Sequence, residues 1–210
     1  MIGVLDYGSG NLFSITNALD KNNLPNKIVS KVEEFKEVDA IILPGVGSYK
    51  VCIQKLKKKD FFNQLKDFAN SGGKLVGICL GMQMLLDSSE EEGHTEGLGL
   101  IKGKVVYLKN EKKNKELSLS IPNMGWSKIY VKDREINEGL FGKINNLEFY
   151  FANSLICKIS EEQNEVAYSK FGNINFCSIF QKDNIIGIQF HPEKSGVIGL
   201  KLLKDILSNA

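Results

Sequence analysis

Apolar residues in the first half of the chain gather into short unbroken runs, separated by stretches with helical spacing. Ile2–Tyr7 is the first run; Gly8-Ser9-Gly10 closes it, and Asn11 is placed to cap a helix through Leu19. Lys27–Val29 is a weaker strand. Ala40-Ile41-Ile42-Leu43 is a third, ended by Pro44-Gly45-Val46-Gly47. From Asp60 a helix is expected in which Phe61, Leu65 and Phe68 recur on one face until Gly72-Gly73 stops it. Leu75-Val76-Gly77-Ile78 is a fourth strand, followed by Cys79-Leu80-Gly81 and a helix through Leu86. Strands that are apolar throughout, alternating with helices, predict a parallel sheet covered on both faces.

The rhythm changes after about Asp87. Ser88–Gly97 reads as a polar surface loop and Lys109–Glu116 as a charged, solvated turn. Short strands are then expected at Lys128–Val131, Glu148–Phe151, Glu165–Tyr168, Phe176–Gln181 and Ile185–Gln189. A last helix begins at Ser195 with Val197, Leu200, Leu203 and Leu207 along one stripe. The expected architecture is one α/β domain over residues 1–210. Its central, mostly parallel sheet carries helices on both faces and additional antiparallel strands in the second half.

Composition narrows the function classes. With 42% apolar and 25% charged residues the chain resembles an ordinary globular protein, and a net charge of +2 offers no footing for nucleic acid or a membrane surface. Arg134 is the sole arginine, so bidentate arginine clamps on phosphate are nearly unavailable. The first residues show no basic leader, and the longest apolar runs are strand-sized. Cys52, Cys79, Cys157 and Cys177 are widely spaced without a CxxC pair, and only His94 and His191 accompany them. No metal site, no cofactor and no disulfide is expected, and a reducing cytoplasmic setting fits.

Three loops follow core strands and carry candidate chemistry. Gly77-Ile78-Cys79-Leu80-Gly81 has the form of a nucleophile elbow, in which a strand turns sharply into a helix and exposes the central side chain. The helix start favours a thiolate at Cys79, and the Leu80 amide is placed to stabilise an oxyanion. Alone, the motif equally fits a buried cysteine between packing glycines. Ile185–Phe190 leads into His191-Pro192-Glu193, where a histidine at a strand end can act as base and a carboxylate two residues on can orient it. By itself His191 could also be a satisfied edge histidine; His94, in the polar loop, reads as solvated. Pro44-Gly45-Val46-Gly47-Ser48 lacks the lysine and spacing of a P-loop. It is either a tight turn or a second oxyanion donor through the amides near Gly47. In an open α/β sheet all three loops would share one crevice beyond the strand ends.

PGVGS, GICLGMQ and FHPEKSG together resemble the class I glutamine amidotransferases with a Cys-His-Glu triad. DYGSGNL, PGVGSY, CLGMQMLL, the EEGH-x-x-GLGL loop, P-x-MGW and QFHPEKSG are more narrowly similar to the glutaminase subunits of imidazole glycerol phosphate synthases, over almost the whole chain. The resemblance implies Cys79 as nucleophile, His191 as general base and acid, and Glu193 as orienter. It implies contacts to L-glutamine from Gly47, Gln83 and Glu92, with main chain around Asn153, Ser154 and Ser178 holding the amino-acid end. It further implies a heterodimer with a (β/α)8-barrel cyclase that receives the ammonia for histidine synthesis, with Asn123, Met124 and Trp126 on the partner face.

Two stretches depart from the family. Pro122-Asn123-Met124-Gly125-Trp126-Ser127 stands where P-H-M-G-W-N is usual, and Phe151-Ala152-Asn153-Ser154-Leu155 replaces a histidine-bearing F-V-H-[ST]-Y. Paralogues that supply ammonia for amidated surface sugars offer an alternative acceptor. A catalytically silent partner-binding module and a partner-free peptidase are the readings from other classes. Trp126 is either a plain edge aromatic or a partner-facing anchor.

Overall fold

The computed structural model describes residues 1–111, 120–132 and 140–208. The apolar runs make the centre of the larger sheet. β1 (Ile2–Leu5), β3 (Ala40–Leu43), β4 (Lys74–Ile78) and β13 (Ile185–Ile188) lie side by side in parallel, with β2 (Asn26–Val29) outside β1. Alternation along each strand explains why both faces are covered. Val4, Ile42, Val76 and Ile186 share a core with α1 (Leu12–Lys21) and α5 (Gly196–Leu207). Leu5, Ile41, Leu75 and Ile185 share the other core with α2 (Tyr49–Lys58) and α3 (Phe61–Asn70).

Beyond β13 the sheet continues antiparallel through β12 (Ile174–Lys182), β11 (Glu165–Phe171), β8 (Asn123–Val131) and β9 (Glu148–Asn153), giving nine strands among the described residues in the order β2-β1-β3-β4-β13-β12-β11-β8-β9. A second sheet holds β10 (Leu155–Ile159), β7 (Ile101–Tyr107), β5 (Leu86–Ser89) and β6 (Thr95–Glu96) in that order. It packs Ile101, Val105, Leu155 and Cys157 into the core that α2 and α3 share.

The parallel core, the antiparallel second half and the Asn11 cap, whose side chain accepts from the Ser14 amide at 3.1 Å, match the pattern-based expectation. Several details differ. The helix after Cys79, α4 (Leu80–Met84), is only five residues long; Leu86 already begins β5. Ser88–Gly97 is no simple loop, because Ser88 and Ser89 pair with Glu96 and Thr95 in a hairpin. Asp60 does not cap α3 with its side chain; it sits in the left-handed region, φ 59°, at the joint between α2 and α3. In α5, Val197 stands 82% exposed, so the buried stripe begins further along. Of the turn expected at Lys109–Glu116, residues 109–111 end a 3₁₀ turn (Leu108–Glu111), and 112–116 lie outside the described residues, as does Arg134. No helix among the described residues is long and apolar enough to cross a membrane.

Candidate active site

Register brings the three chemistry-bearing loops together. Leu43 lies opposite Gly77, and Ile78 opposite Ile188, across adjacent parallel strands. The chain therefore leaves β3, β4 and β13 at the same edge of the sheet, carrying Pro44–Gly47, Cys79 and Gln189–His191 respectively.

Cys79 has φ 55° and ψ −110°, a conformation that costs a non-glycine residue about 1–3 kcal/mol. Its amide donates to the Ile188 carbonyl at 2.7 Å, and its carbonyl accepts from the Gln83 amide at 3.2 Å. The flanking glycines are required by contact. A Cβ on Gly81 would fall 1.8 Å from the Leu43 carbonyl oxygen, and one on Gly77 would fall 2.7 Å from the Gly81 backbone. Gly45 meets the same limit from the neighbouring loop, 2.7 Å from the Gly81 nitrogen. The elbow and the PGVG loop are thus pressed together, and side chains are excluded from the seam.

His191 is held by its own corner. Its amide donates to the Tyr150 carbonyl at 2.9 Å, and the Ser195 hydroxyl donates to the His191 carbonyl at 2.7 Å. On the ring, Nδ1 lies 2.8 Å from Glu193 Oε1, with both side chains buried. Burial alone would favour the neutral imidazole. Hydrogen bonding and charge from Cys79 and Glu193 outweigh it and push the His191 pKa up to about 10. Elsewhere burial pushes the Cys157 and Cys177 thiols up, which keeps them protonated and unreactive.

Cys79 and His191 both face a cleft of about 360 Å³, a volume suited to a small molecule. Gly47, Leu80, Gln83, Asn153 and Ser154 line it with them. Three expectations are corrected. Glu92 is exposed at a turn with φ 52°, and the carboxylate lining the cleft belongs to Glu91, whose Oε2 accepts the Tyr49 amide at 2.6 Å. Ser178 is fully buried; its hydroxyl donates to Ser169 and its carbonyl accepts the Gln189 amide, so it supports the site from behind. Asn123 is no surface residue, being 5% exposed and bonded through Nδ2 to Asn153 Oδ1 at 3.2 Å. Met124 and Trp126 on the same strand are exposed, and Trp126 rests edge-on against Tyr150. His94 is exposed between β5 and β6.

Glu91, Gln189 and Lys194 were missed. Glu91 and Glu92 are indistinguishable by type, and only the turn geometry separates them. Gln189 carried a signal: an amide at the end of an otherwise apolar strand must find buried partners.

The family described as glutamine amidotransferase class-I matches residues 3–209. A Sulfurimonas denitrificans protein named imidazole glycerol phosphate synthase subunit HisH is 41% identical over 98% of this chain and 96% of its own length. A Bacillus subtilis protein of the same name is also 41% identical, over 97% and 93%. Among solved structures, one described as a glutamine amidotransferase aligns with TM-score 0.72 at 18% identity, over 98% of both chains. PurLQS from Thermotoga maritima aligns with TM-score 0.74 at 20% identity, over 99% and 97%. At such identities these structures speak to the fold.

Proposed function

Because the chain belongs to the class I glutamine amidotransferase family, we propose that it is the glutaminase subunit of an imidazole glycerol phosphate synthase. It hydrolyses L-glutamine to glutamate and passes the ammonia to a (β/α)8-barrel cyclase in histidine biosynthesis. The observation that carries this reading is the cleft lined by both Cys79 and His191, with the Glu193 carboxylate bonded to the far side of the His191 ring. The acceptor follows from the name of the curated relatives.

The chemistry runs through these groups. The Cys79 thiolate, beside a protonated His191, attacks the glutamine carboxamide carbon, and the carbonyl electrons move onto oxygen. Amides of Leu80 and Gly47 receive that charge, each such donor being worth about 3–4 kcal/mol in the transition state. His191 gives its proton to the departing nitrogen, ammonia leaves, and a glutamyl thioester remains. Water then adds, His191 takes its proton, and glutamate is released. Glu193 fixes the ring orientation throughout. Glu91 is placed for the substrate ammonium, while Gln83, Asn153 and Ser154 supply polar contacts. Met124 and Trp126 form an exposed apolar pair for the cyclase. Ammonia in water at neutral pH is mostly protonated and not nucleophilic, which is the physical reason for a covered route into the partner.

The test is glutamate formation in the presence of the cyclase subunit. Cys79→Ala should lower it by roughly 10⁴-fold or more, and wild-type turnover in that variant would refute the nucleophile assignment. Purification of the native partner and identification of the aminated product tests the acceptor, and an amidated sugar there would overturn the histidine-pathway reading.

A further inference from the structure

Four buried side-chain amides form a continuous hydrogen-bonded line that ends at the sulfur. Asn123 Nδ2 donates to Asn153 Oδ1, and Asn153 Nδ2 donates to the Leu155 carbonyl at 3.0 Å. The same carbonyl accepts from Gln83 Nε2 at 3.3 Å, and that nitrogen also donates to Gln189 Oε1 at 3.1 Å. Gln189 Nε2 then points at Cys79 Sγ, 3.8 Å away. None of the four residues is more than 5% exposed, and Gln189 is wholly buried.

Two donors converge on the Leu155 carbonyl, which fixes the orientation of the branch that reaches the sulfur. The Leu155 carbonyl is a main-chain acceptor and cannot reverse, so the Gln83 NH₂ must face it. Gln189 must then present oxygen to Gln83 and nitrogen to the sulfur. Reversing either amide would set oxygen against oxygen or NH₂ against NH₂ between buried groups. The Gln189 backbone is equally fixed, its amide bonded to the Ser178 carbonyl at 2.9 Å.

We propose that Gln189 is a positioning residue for glutamine hydrolysis, its Nε2–H stabilising the charge that the Cys79 sulfur carries as it attacks and as it leaves. The proposal rests on Cys79 being the nucleophile. A hydrogen bond from an amide to a neutral thiol is weak, whereas one to an anion is charge-assisted. The five-residue α4 offers little dipole, and the Ala152 carbonyl, an acceptor, lies 3.9 Å from the sulfur, so charge there depends on local donors: the His191 ring and Gln189. When sulfur attacks the carboxamide its charge passes to the substrate oxygen, and the hydrogen bond from Gln189 to the sulfur weakens at the thioester stage. When water has added, its proton on His191, the carbon–sulfur bond breaks. The electron pair then returns to the sulfur, where Gln189 again receives it. Both Gln83 N–H groups are thereby committed, one to the Leu155 carbonyl and one to Gln189.

Two variants separate these roles, assayed in the complex with the cyclase. Gln189→Met keeps the volume and removes both hydrogen bonds. Gln189→Glu keeps the acceptor for Gln83 and replaces the donor facing the sulfur. Both should lose roughly 10- to 100-fold in kcat, and in both the pH profile of Cys79 alkylation by iodoacetamide should move to higher pH. In Gln189→Glu the KM for glutamine should stay within about threefold of wild type, because Gln83 keeps its orientation. Alkylation profiles that coincide with wild type, or turnover that is unchanged, would overturn the proposal. Cys79→Ala is measured in parallel: if it is active, the nucleophile reading fails, whereas an inactive Cys79→Ala beside active Gln189 variants sinks only the present inference. Should a variant not fold, the wild-type protein still decides. The Gln189 side-chain ¹⁵N signal is expected to shift when Cys79 is alkylated, and an unmoved signal overturns the assignment.

Discussion

Removing the sulfur should be felt most directly by the imidazole beside it. His191 stands in a buried site that by itself favours the uncharged ring, yet its pKa is pushed from 6.5 up to about 10 by Cys79 and Glu193. That difference corresponds to on the order of 5 kcal/mol of preference for the charged ring. The protein has only two histidines, so imidazole resonances in an NMR titration are readily assigned with a His94→Asn variant. In wild type, the His191 signal should stay in its protonated position through neutral pH and move only as pH approaches about 10. In Cys79→Ala one of the two groups raising the value is gone while burial remains, and the midpoint should fall by more than about one pH unit. The sign for stability follows from the raised value. The interaction stabilises the fold fully below about pH 6.5 and is lost as pH rises through about 10. Urea midpoints of His191→Asn should therefore fall less across that window than those of wild type. A wild-type His191 midpoint at or below that of a free imidazole, or one unmoved by Cys79→Ala, would refute the reasoning.

Three further outcomes are expected. Glu91→Gln removes the carboxylate facing the cleft and should raise the KM for glutamine roughly 10- to 100-fold, with Glu92→Gln within about twofold of wild type in the same kinetic assay. Trp126→Ala should weaken cyclase binding by about 2 kcal/mol or more, read by calorimetry, while barely changing the melting temperature of the isolated subunit, because the indole is 55% exposed. Gly81→Ala should destabilise the fold by about 3 kcal/mol or more in urea titration. Its added methyl would fall 1.8 Å from the Leu43 carbonyl oxygen, so the backbone itself must shift.

The parts of the fold that could be read from the sequence were those whose pattern is forced by burial on both sides. Ala40–Leu43 and Leu75–Ile78 admit no polar residue because helices cover both faces, so the parallel core and the loops beyond it were legible. The second sheet was not, since β5 and β6 are polar pieces held by pairing with β7 and with each other. Helix α2 was also passed over, because lysines dilute the stripe of Cys52, Ile53 and Leu56. At the site, Cys79, His191 and Gly47 were marked by strand ends and glycines. The exchange of Glu92 for Glu91 shows the limit: adjacent carboxylates carry no signal until a left-handed turn at position 92 sends one inward and the other to solvent. Main chain around Ser178 was assigned to substrate by resemblance, but the residue does not line the cleft and its carbonyl is taken by the Gln189 amide.

β13 arrives near the end of the chain and yet lies in the middle of the larger sheet, between β4 and β12. During synthesis the edge of β4 must wait, unpaired, until the residues around 188 leave the ribosome. The amide of Cys79 finds its acceptor at the same moment as the imidazole arrives. A chain that stops short of residue 191 lacks the base of the proposed triad, so the elbow and its imidazole come together only when β13 pairs with β4.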